Sequence, residues 1–412
     1  MAEAKRRGLT SGAGTILGDR LPLSACSDLF ASIADHHISR ADLSDKLGVS
    51  RVTLGQRLAP LIDAGLVVEL AETVPSGGRP TKMLGADPGF GVILAVDVGE
   101  SLIRLAVTDL EGDVLKQSEI EYARNDPPLT SLELVASGLD GLLNELGGER
   151  FRIGMGVSLP APIDVKARRV VGPSILRNWD EVDIVGWLAK RLGVPVVVEN
   201  DVNLMTLFEA TRAPGSNDHF MFIKMGTGIG SGFILDGRLY RGADGASGDI
   251  GHIQLNRETA PLCRCGKVGC LEAHAAGWAI ARSLREKGID AEDAHDVIRQ
   301  VADQVPEAIA FLREAGRALG EVVADTVSIL NPRTIRIGGT LAGAHEYLLA
   351  GVRELVYQRC LPLATSQLTI EHVPPSTIAC IQGAVISLRH HIFSGLQSSI
   401  LLERYERWQA GR

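Results

Sequence analysis

"HFMFIKMGTGIGSGFILDGRLYRG", residues 219–242, sets two apolar runs around a turn, GTGIGSG, in which four of seven residues are glycine. The runs read as two strands joined by a short loop. Glycines let backbone N–H groups come close to a phosphate. One such turn is weak evidence, because glycine-rich turns are also ordinary punctuation.

Two further turns share the pattern. "GVILAVDVGE" (91–100) is an apolar run ending at Asp97 and Gly99, followed by Glu100, Ser101 and Leu102. "TIRIGGTLAG" (334–343) ends a strand in a third glycine turn. Between them, strands such as "FRIGMGVSL" (151–159) alternate with helical stretches such as 129–146, which indicates an α/β fold. "VPVVVENDVN" (194–203) puts Asn200 and Asp201 at the carboxyl end of a strand, where such folds place ligands. Asp201 could take a proton from a substrate hydroxyl; taken alone, it reads as a helix N-cap.

Downstream, "GASGDIGHIQL" (245–255) carries Asp249 and His252, and "CRCGKVGCLEAH" (263–274) packs half of the chain's six cysteines into eight positions. A disulfide would leave an odd thiol, and a C-x-C pair is poorly spaced for a local bridge. Three thiolates and one imidazole (Cys263, Cys265, Cys270 and His252) match a tetrahedral structural zinc site. Such a Zn2+ site would hold Glu272 rigidly and pin a loop that offers Asp249, His252 and Glu272 to one pocket. Cys26, Cys360 and Cys380 lie far apart, which argues against a secreted disulfide scaffold.

The front of the chain differs. Residues 1–82 carry 10 Lys+Arg and 9 Asp+Glu, whereas the rest carries 32 and 41. An acidic body is a poor nonspecific binder of nucleic acid, so any DNA contact belongs to the front segment. Residues 1–23 read as a flexible leader without a signal-peptide core, and the chain as cytoplasmic. Residues 24–85 read as helix, helix, capped helix, strand and glycine-rich hairpin. Ser39 and Ser50 are placed as N-caps, with Gly48 and Val49 in the turn. Ala41, Leu43 and Leu47 are expected to face inward, as are Val52, Leu54, Leu58 and Ile62. Ser50, Arg51, Thr53, Gln56 and Arg57 would then form a base-reading face, and Arg79 the tip of a wing. A helical bundle with a solvated polar face is the plainer alternative. Pro60 should kink the third helix beyond the reading turn.

The cues "ENDVN", "GTGIGSGFILDGRLYRGADGASGDIGH" and "CRCGKVGCLEAHAAG", in that order, resemble the ROK family of repressors, open reading frames and sugar kinases. The likeness spans about residues 88–395, and the front segment resembles the family's repressor branch, the regulators of xylose and N-acetylglucosamine genes. It implies an N-terminal winged helix-turn-helix (24–85) and a two-lobed actin- and hexokinase-like (ribonuclease H-like) ATPase fold (88–412). Lobe 1 would cover about 88–202 plus a C-terminal helix near 384–400, and lobe 2 about 203–383. The resemblance assigns Asn200, Asp201, Asp249, His252 and Glu272 to sugar hydroxyls and the vestigial base to Asp201. It assigns Asp97, Gly99, Gly226, Thr227 and Gly228 to a nucleotide site, and His252 would face metal and sugar through opposite nitrogens.

Two positions depart from the family pattern. Kinases of the family read Asp-x-Gly-Gly-Thr-Lys at the first turn, where this chain has Glu100 and Leu102 at the second glycine and lysine. A carboxylate there repels polyphosphate, and the lost glycine stiffens the backbone. Asp249 stands where the family usually has Glu. The resemblance therefore implies a repressor of carbohydrate genes without phosphoryl transfer. Its partners would be operator DNA and a sugar or sugar-phosphate effector, and its assembly a homodimer or dimer of dimers, with no membrane. The alternatives are an active hexose kinase with an added regulatory segment, and a front segment that binds protein instead of DNA.

Overall fold

The computed structural model describes residues 22–35, 37–74, 81–123, 125–172, 174, 176–213, 215 and 217–412. Arg79 and the leader up to residue 21 lie outside the described residues. The chain opens with α1 (Ser27–Asp35), β1 (Ile38–Ser39), α2 (Arg40–Leu47), α3 (Arg51–Asp63), β2 (Val67–Val74) and β3 (Thr81–Ala86). Then come β4 (Val92–Val98), β5 (Leu102–Thr108), β6 (Val114–Glu121), α4 (Pro128–Leu146), β7 (Arg152–Leu159), β8 (Ile163–Asp164) and β9 (Arg169–Val170). Next are α5 (Ile184–Leu192), β10 (Val196–Asn200), α6 (Asp201–Arg212), β11 (His219–Met225), β12 (Ile229–Leu235) and β13 (Arg238–Leu239). The remainder is α7 (Leu271–Ala275), α8 (Gly277–Glu286), α9 (Ala294–Ala302), α10 (Pro306–Leu330), β14 (Thr334–Gly338), α11 (His345–Arg359), α12 (Pro362–Thr365), β15 (Thr369–His372), α13 (Ala379–Ile392) and α14 (Gly395–Ala410).

Gly91–His391 form one compact unit built on two five-stranded sheets. The first sheet runs β10-β7-β4-β5-β6 and the second β13-β12-β11-β14-β15. Read from the first strand of each, both follow one order: strands one, two and three antiparallel on one side, four and five parallel on the other. The repeated topology is the mixed α/β, actin- and hexokinase-like class expected from the sequence. Strand β4 is buried along its whole length, as a central strand covered on both faces requires. On α4, Leu132, Val135, Ala136, Leu139 and Leu142 form a buried stripe at helical spacing. In the second lobe α10 and α11 pack nearly backbone to backbone. A Cβ at Gly316 would lie 2.2 Å from the Leu348 carbonyl oxygen, so only glycine fits there.

The other unit contains the described residues up to Phe90 together with Ile392–Arg412. Strands β1, β3 and β2 form an antiparallel sheet beside three helices, the outline of a winged helix. The Ser39 hydroxyl accepts from the Asp42 N–H and that of Ser50 from the Thr53 N–H, each at 3.1 Å. Gly48 ends α2 in the left-handed region, with φ of 63°.

The inward face of α3 differs from the expected one. Leu54, Leu58 and Leu61 are buried, whereas Val52 is 71% exposed and Ile62 38%. At about 100° per residue, positions 54, 58 and 61 share one stripe, position 62 lies at its flank and position 52 on the opposite side. Ala41 is likewise exposed.

The second difference concerns the C-terminus. The sequence assigned everything after residue 88 to the larger domain, yet Ile392–Arg412 group with the helices of the N-terminal unit. The Tyr405 hydroxyl donates to the Ala64 carbonyl at the end of α3 (3.1 Å), and the Ser398 hydroxyl to the Ser27 carbonyl (3.0 Å). Phe30 meets Phe90 and Phe393 edge-on, with ring centroids 5.8 and 5.6 Å apart, and Phe90 meets Tyr405 at 5.8 Å. Tyr405→Ala should therefore destabilise this unit by about 3–5 kcal/mol, the usual cost of deleting a buried ring. Calorimetry should record a lower first transition with the transition of Gly91–His391 unchanged.

Candidate functional site

His252 ends a short 3-10 turn that follows Asp249, and the three cysteines lie on the loop before α7. An antiparallel bridge between Gln254 and Cys270 folds that loop back on itself. One ligand atom each from His252, Cys263, Cys265 and Cys270 fall within 4.8 Å of one another, a group that could hold a metal ion. Cys265 Sγ lies 3.7 Å from Cys270 Sγ, and Cys263 Sγ 3.7 Å from His252 Nδ1. A tetrahedral ion bound to sulfur at about 2.3 Å separates its sulfurs by about 3.8 Å, so the donor set fits. Burial, then the neighbouring Cys265 and Cys263 sulfurs, push the Cys270 thiol up to about 12. A divalent cation at the centre reverses that penalty. Because Nδ1 faces the sulfurs, Nε2 points elsewhere: it lies 3.9 Å from Asp249 Oδ1.

The remaining ligand candidates surround β12. The Ser231 N–H donates to the Gly248 carbonyl (2.9 Å), which brings the Asp249 turn against this strand. Val202 and Asn203 of α6 touch the same strand at Gly230 and Gly232. Asp249 is exposed and caps nothing. Glu272 Oε2 accepts from the Ile229 N–H at 3.2 Å, across the mouth of the second glycine turn.

Asn200 and Asp201 divide the two roles considered for this pair. Asn200 is the N-cap of α6: its Oδ1 accepts from the Val202 and Asn203 N–H groups, and its Nδ2 donates to the Ala161 carbonyl. Asp201 is the first helical residue. Its Oδ1 accepts from the Val202 N–H (2.8 Å), and its Oδ2 pairs with Lys224 Nζ at 2.5 Å. Burial alone would lower the Lys224 ammonium, but Asp201, the Cys380 thiol and Asp97 hold it well above its ordinary value.

Asp97 is buried at the end of β4. Its Oδ1 accepts from the Ser158 hydroxyl (2.8 Å), and its Oδ2 lies 3.4 Å from Arg104 Nη1. The Gly99 N–H donates within the β4–β5 turn to the Leu102 carbonyl (2.9 Å). Gly226 donates likewise to the Gly228 carbonyl (3.0 Å), while Thr227 and Gly228 are half-buried.

A model of the ROK family matches residues 93–387. The chain belongs to the ROK family. It is 29% identical over 331 residues to a protein named xylose repressor in Bacillus spizizenii, covering 79% of this chain and 84% of that one. It is 28% identical over 325 residues to a glucokinase of Thermotoga maritima, covering 73% of this chain and 98% of the enzyme. Its fold is like that of a ROK family transcriptional regulator described as a homologue of the Escherichia coli MLC protein. The TM-score is 0.76 at 23% identity, over 94% of this chain and 99% of that one.

Within this ROK chain the sequence missed three cations. Lys224 meets Asp201, Arg104 meets Asp97, and Arg241 Nε meets Glu199 Oε2 at 2.6 Å. The signal for the first two was a lone cation inside an otherwise apolar strand, "HFMFIKM" and "LIRLAVT". Over the first two turns of α3, the exposed side chains are Arg51, Val52, Thr53 and Gln56, with Ser50 exposed as the cap. One guanidinium nitrogen of Arg57 donates to the Ala25 carbonyl at 3.0 Å.

Burial raises the Asp97 carboxyl above its ordinary range, aided by Asp201 and opposed by Ser158, Lys224 and Arg104. A carboxyl raised on folding weakens the fold wherever it is ionised, and that cost is relieved as pH falls through the folded value. Asp97→Asn should unfold at a higher temperature than the parent at pH 7, the gain shrinking as pH is lowered toward 4. An equal or lower midpoint at pH 7 contradicts this account.

Proposed function

We propose that this protein is a sugar-responsive repressor of carbohydrate genes, acting as a homodimer on a two-fold operator. The observation that carries the reading is the joining, in one chain, of a winged helix with an exposed reading face to a body like that of sugar kinases. The relatives support it from two sides. The glucokinase is matched over almost its whole length yet leaves about a quarter of this chain unmatched, whereas a putative xylose repressor of a Caldicellulosiruptor species matches 87% of this chain. Arg51 and Gln56 are the base-reading candidates, and Val52 offers an apolar contact of the kind that recognises a thymine methyl. Arg57 supports the helix from behind. Reading by one short helix covers few base pairs, which is why a dimer is expected.

The ion in the thiolate–imidazole site is zinc, bound by His252 Nδ1 and the three sulfurs. The donor set and its spacing support this, and the ion stiffens the loop that carries Asp249 and Glu272. The effector is a sugar held by Asp201, Asp249, Glu272 and His252 Nε2, with Asn200 shaping the pocket as the helix cap.

The chain does not transfer phosphate. The residues at the expected nucleotide turns suit ATP poorly. The Gly99 and Gly226 N–H groups are spent on the turns' own carbonyls, and the Ile229 N–H on the Glu272 carboxylate. Glu100 adds a further carboxylate at the first turn. Kinase activity is the competing reading, favoured by the glucokinase matches.

Elemental analysis of the purified chain should find one zinc per chain, lost in Cys265→Ser. A gel shift on the chain's own upstream region should weaken by about 1–3 kcal/mol in Arg51→Ala and in Gln56→Ala. A coupled assay with ATP and a hexose panel should record no turnover. ATP turnover abolished by Asp201→Asn would instead establish the kinase.

A further inference from the structure

Lys224 stands on β11 two residues before the second glycine turn begins, on a strand whose other described residues from Phe220 to Met225 are buried. Its ammonium reaches Asp201, the first residue of α6, and the side chain remains 35% exposed. An ammonium carries three N–H donors, and each carboxylate oxygen more than one acceptor site. Among the described residues Lys224 makes one hydrogen bond, to Asp201. The pair therefore has spare donors on Lys224 and spare acceptor sites on Asp201, side by side.

That combination has a chemical complement. A free hydroxyl gives one hydrogen and accepts another, so it can donate to Asp201 and accept from Lys224 at once. A phosphate ester at the same oxygen has no hydrogen to donate. It also brings negative charge toward Asp201 and toward Asp97, whose oxygens are already engaged with Ser158 and Arg104. One ammonium shared with Asp201 cannot balance both that carboxylate and a dianion.

We propose that Lys224 is a specificity-determining residue that turns the position of a catalytic base into a receptor for an unmodified sugar hydroxyl, so that the effector is a free sugar and not its phosphate. This rests on the sugar-effector reading above and narrows it. Lys224 binds the hydroxyl oxygen and keeps Asp201 paired. The hydroxyl is held without losing its proton.

The experiment uses the full chain and isothermal titration with D-xylose, D-glucose, N-acetyl-D-glucosamine, glucose 1-phosphate, glucose 6-phosphate and N-acetylglucosamine 6-phosphate. The parent should bind a free sugar and reject at least one of its phosphates by about ten- to a hundredfold, the value of a hydrogen bond to a charged group. The rejected ester marks the hydroxyl that faces Asp201. Lys224→Met should lose about the same factor for the free sugar with no gain for its phosphate, which then meets an unpaired Asp201, and Lys224→Arg should restore the free-sugar affinity in part. Should Lys224→Met fold poorly, the double variant Lys224→Met with Asp201→Asn leaves no unpaired buried charge and should show the same loss of free-sugar affinity. Sugar binding by the parent with free-sugar affinity unchanged in Lys224→Met overturns the inference alone. Tighter binding of a phosphate than of its free sugar also overturns it. Binding of none of the six ligands withdraws the sugar-effector reading itself.

Discussion

The Asp201–Lys224 ion pair, like Glu199–Arg241, ties the two halves of the larger unit. Asp201 follows the last strand of the first sheet, and Lys224 lies on the opening strand of the second. Two chains of argument meet there. Asp201 is placed by the end of β10 and by the Asn200 cap; Lys224 is placed by the register of β11 against β12 and β14. Breaking such a pair by removing one partner strands the other charge in a poorly solvated place. The position of the carboxylate relative to the glycine turn is thus fixed by two sheets together, and neither alone would hold it.

The same economy governs the turns. Each glycine turn was legible in the sequence as a place where backbone approaches something closely. What occupies that approach was not legible. In the first turn it is the neighbouring strand's own carbonyl, and in the second the Glu272 carboxylate carried by α7. Glycine is needed for the tight geometry in either case. The motif is therefore present in a chain whose Gly99, Gly226 and Ile229 donors are committed internally.

Much of the fold followed from period and punctuation. Strand and helix order, the Ser39 and Ser50 caps and the Gly48 stop depend on residues a few positions apart, and local sequence carries that information. The thiolate–imidazole cluster was legible for a different reason: four donors at short spacing leave few geometries open. Contacts made across large separations were hidden. Lys224 looks like a solvated lysine until Asp201, 23 residues away on another element, is brought beside it. Arg57 gives no hint in the sequence of its bond to the Ala25 carbonyl, 32 residues away. The inward face of α3 was misread at Val52 and Ile62 because apolar character was taken for burial, whereas the helical phase is set by Leu54, Leu58 and Leu61.

The interlocked phenylalanines have a consequence for synthesis. Phe30 is made early and Phe393 and Tyr405 hundreds of residues later, yet they share one core. During translation the first helices must wait, with that apolar surface open, while the whole intervening body is made and folds. Chains arrested before residue 393 carry every side chain of the reading face but lack the ring that closes over Phe30. The apolar surface of Phe30 then stays open until the last residues, Ile392–Arg412, arrive to cover it.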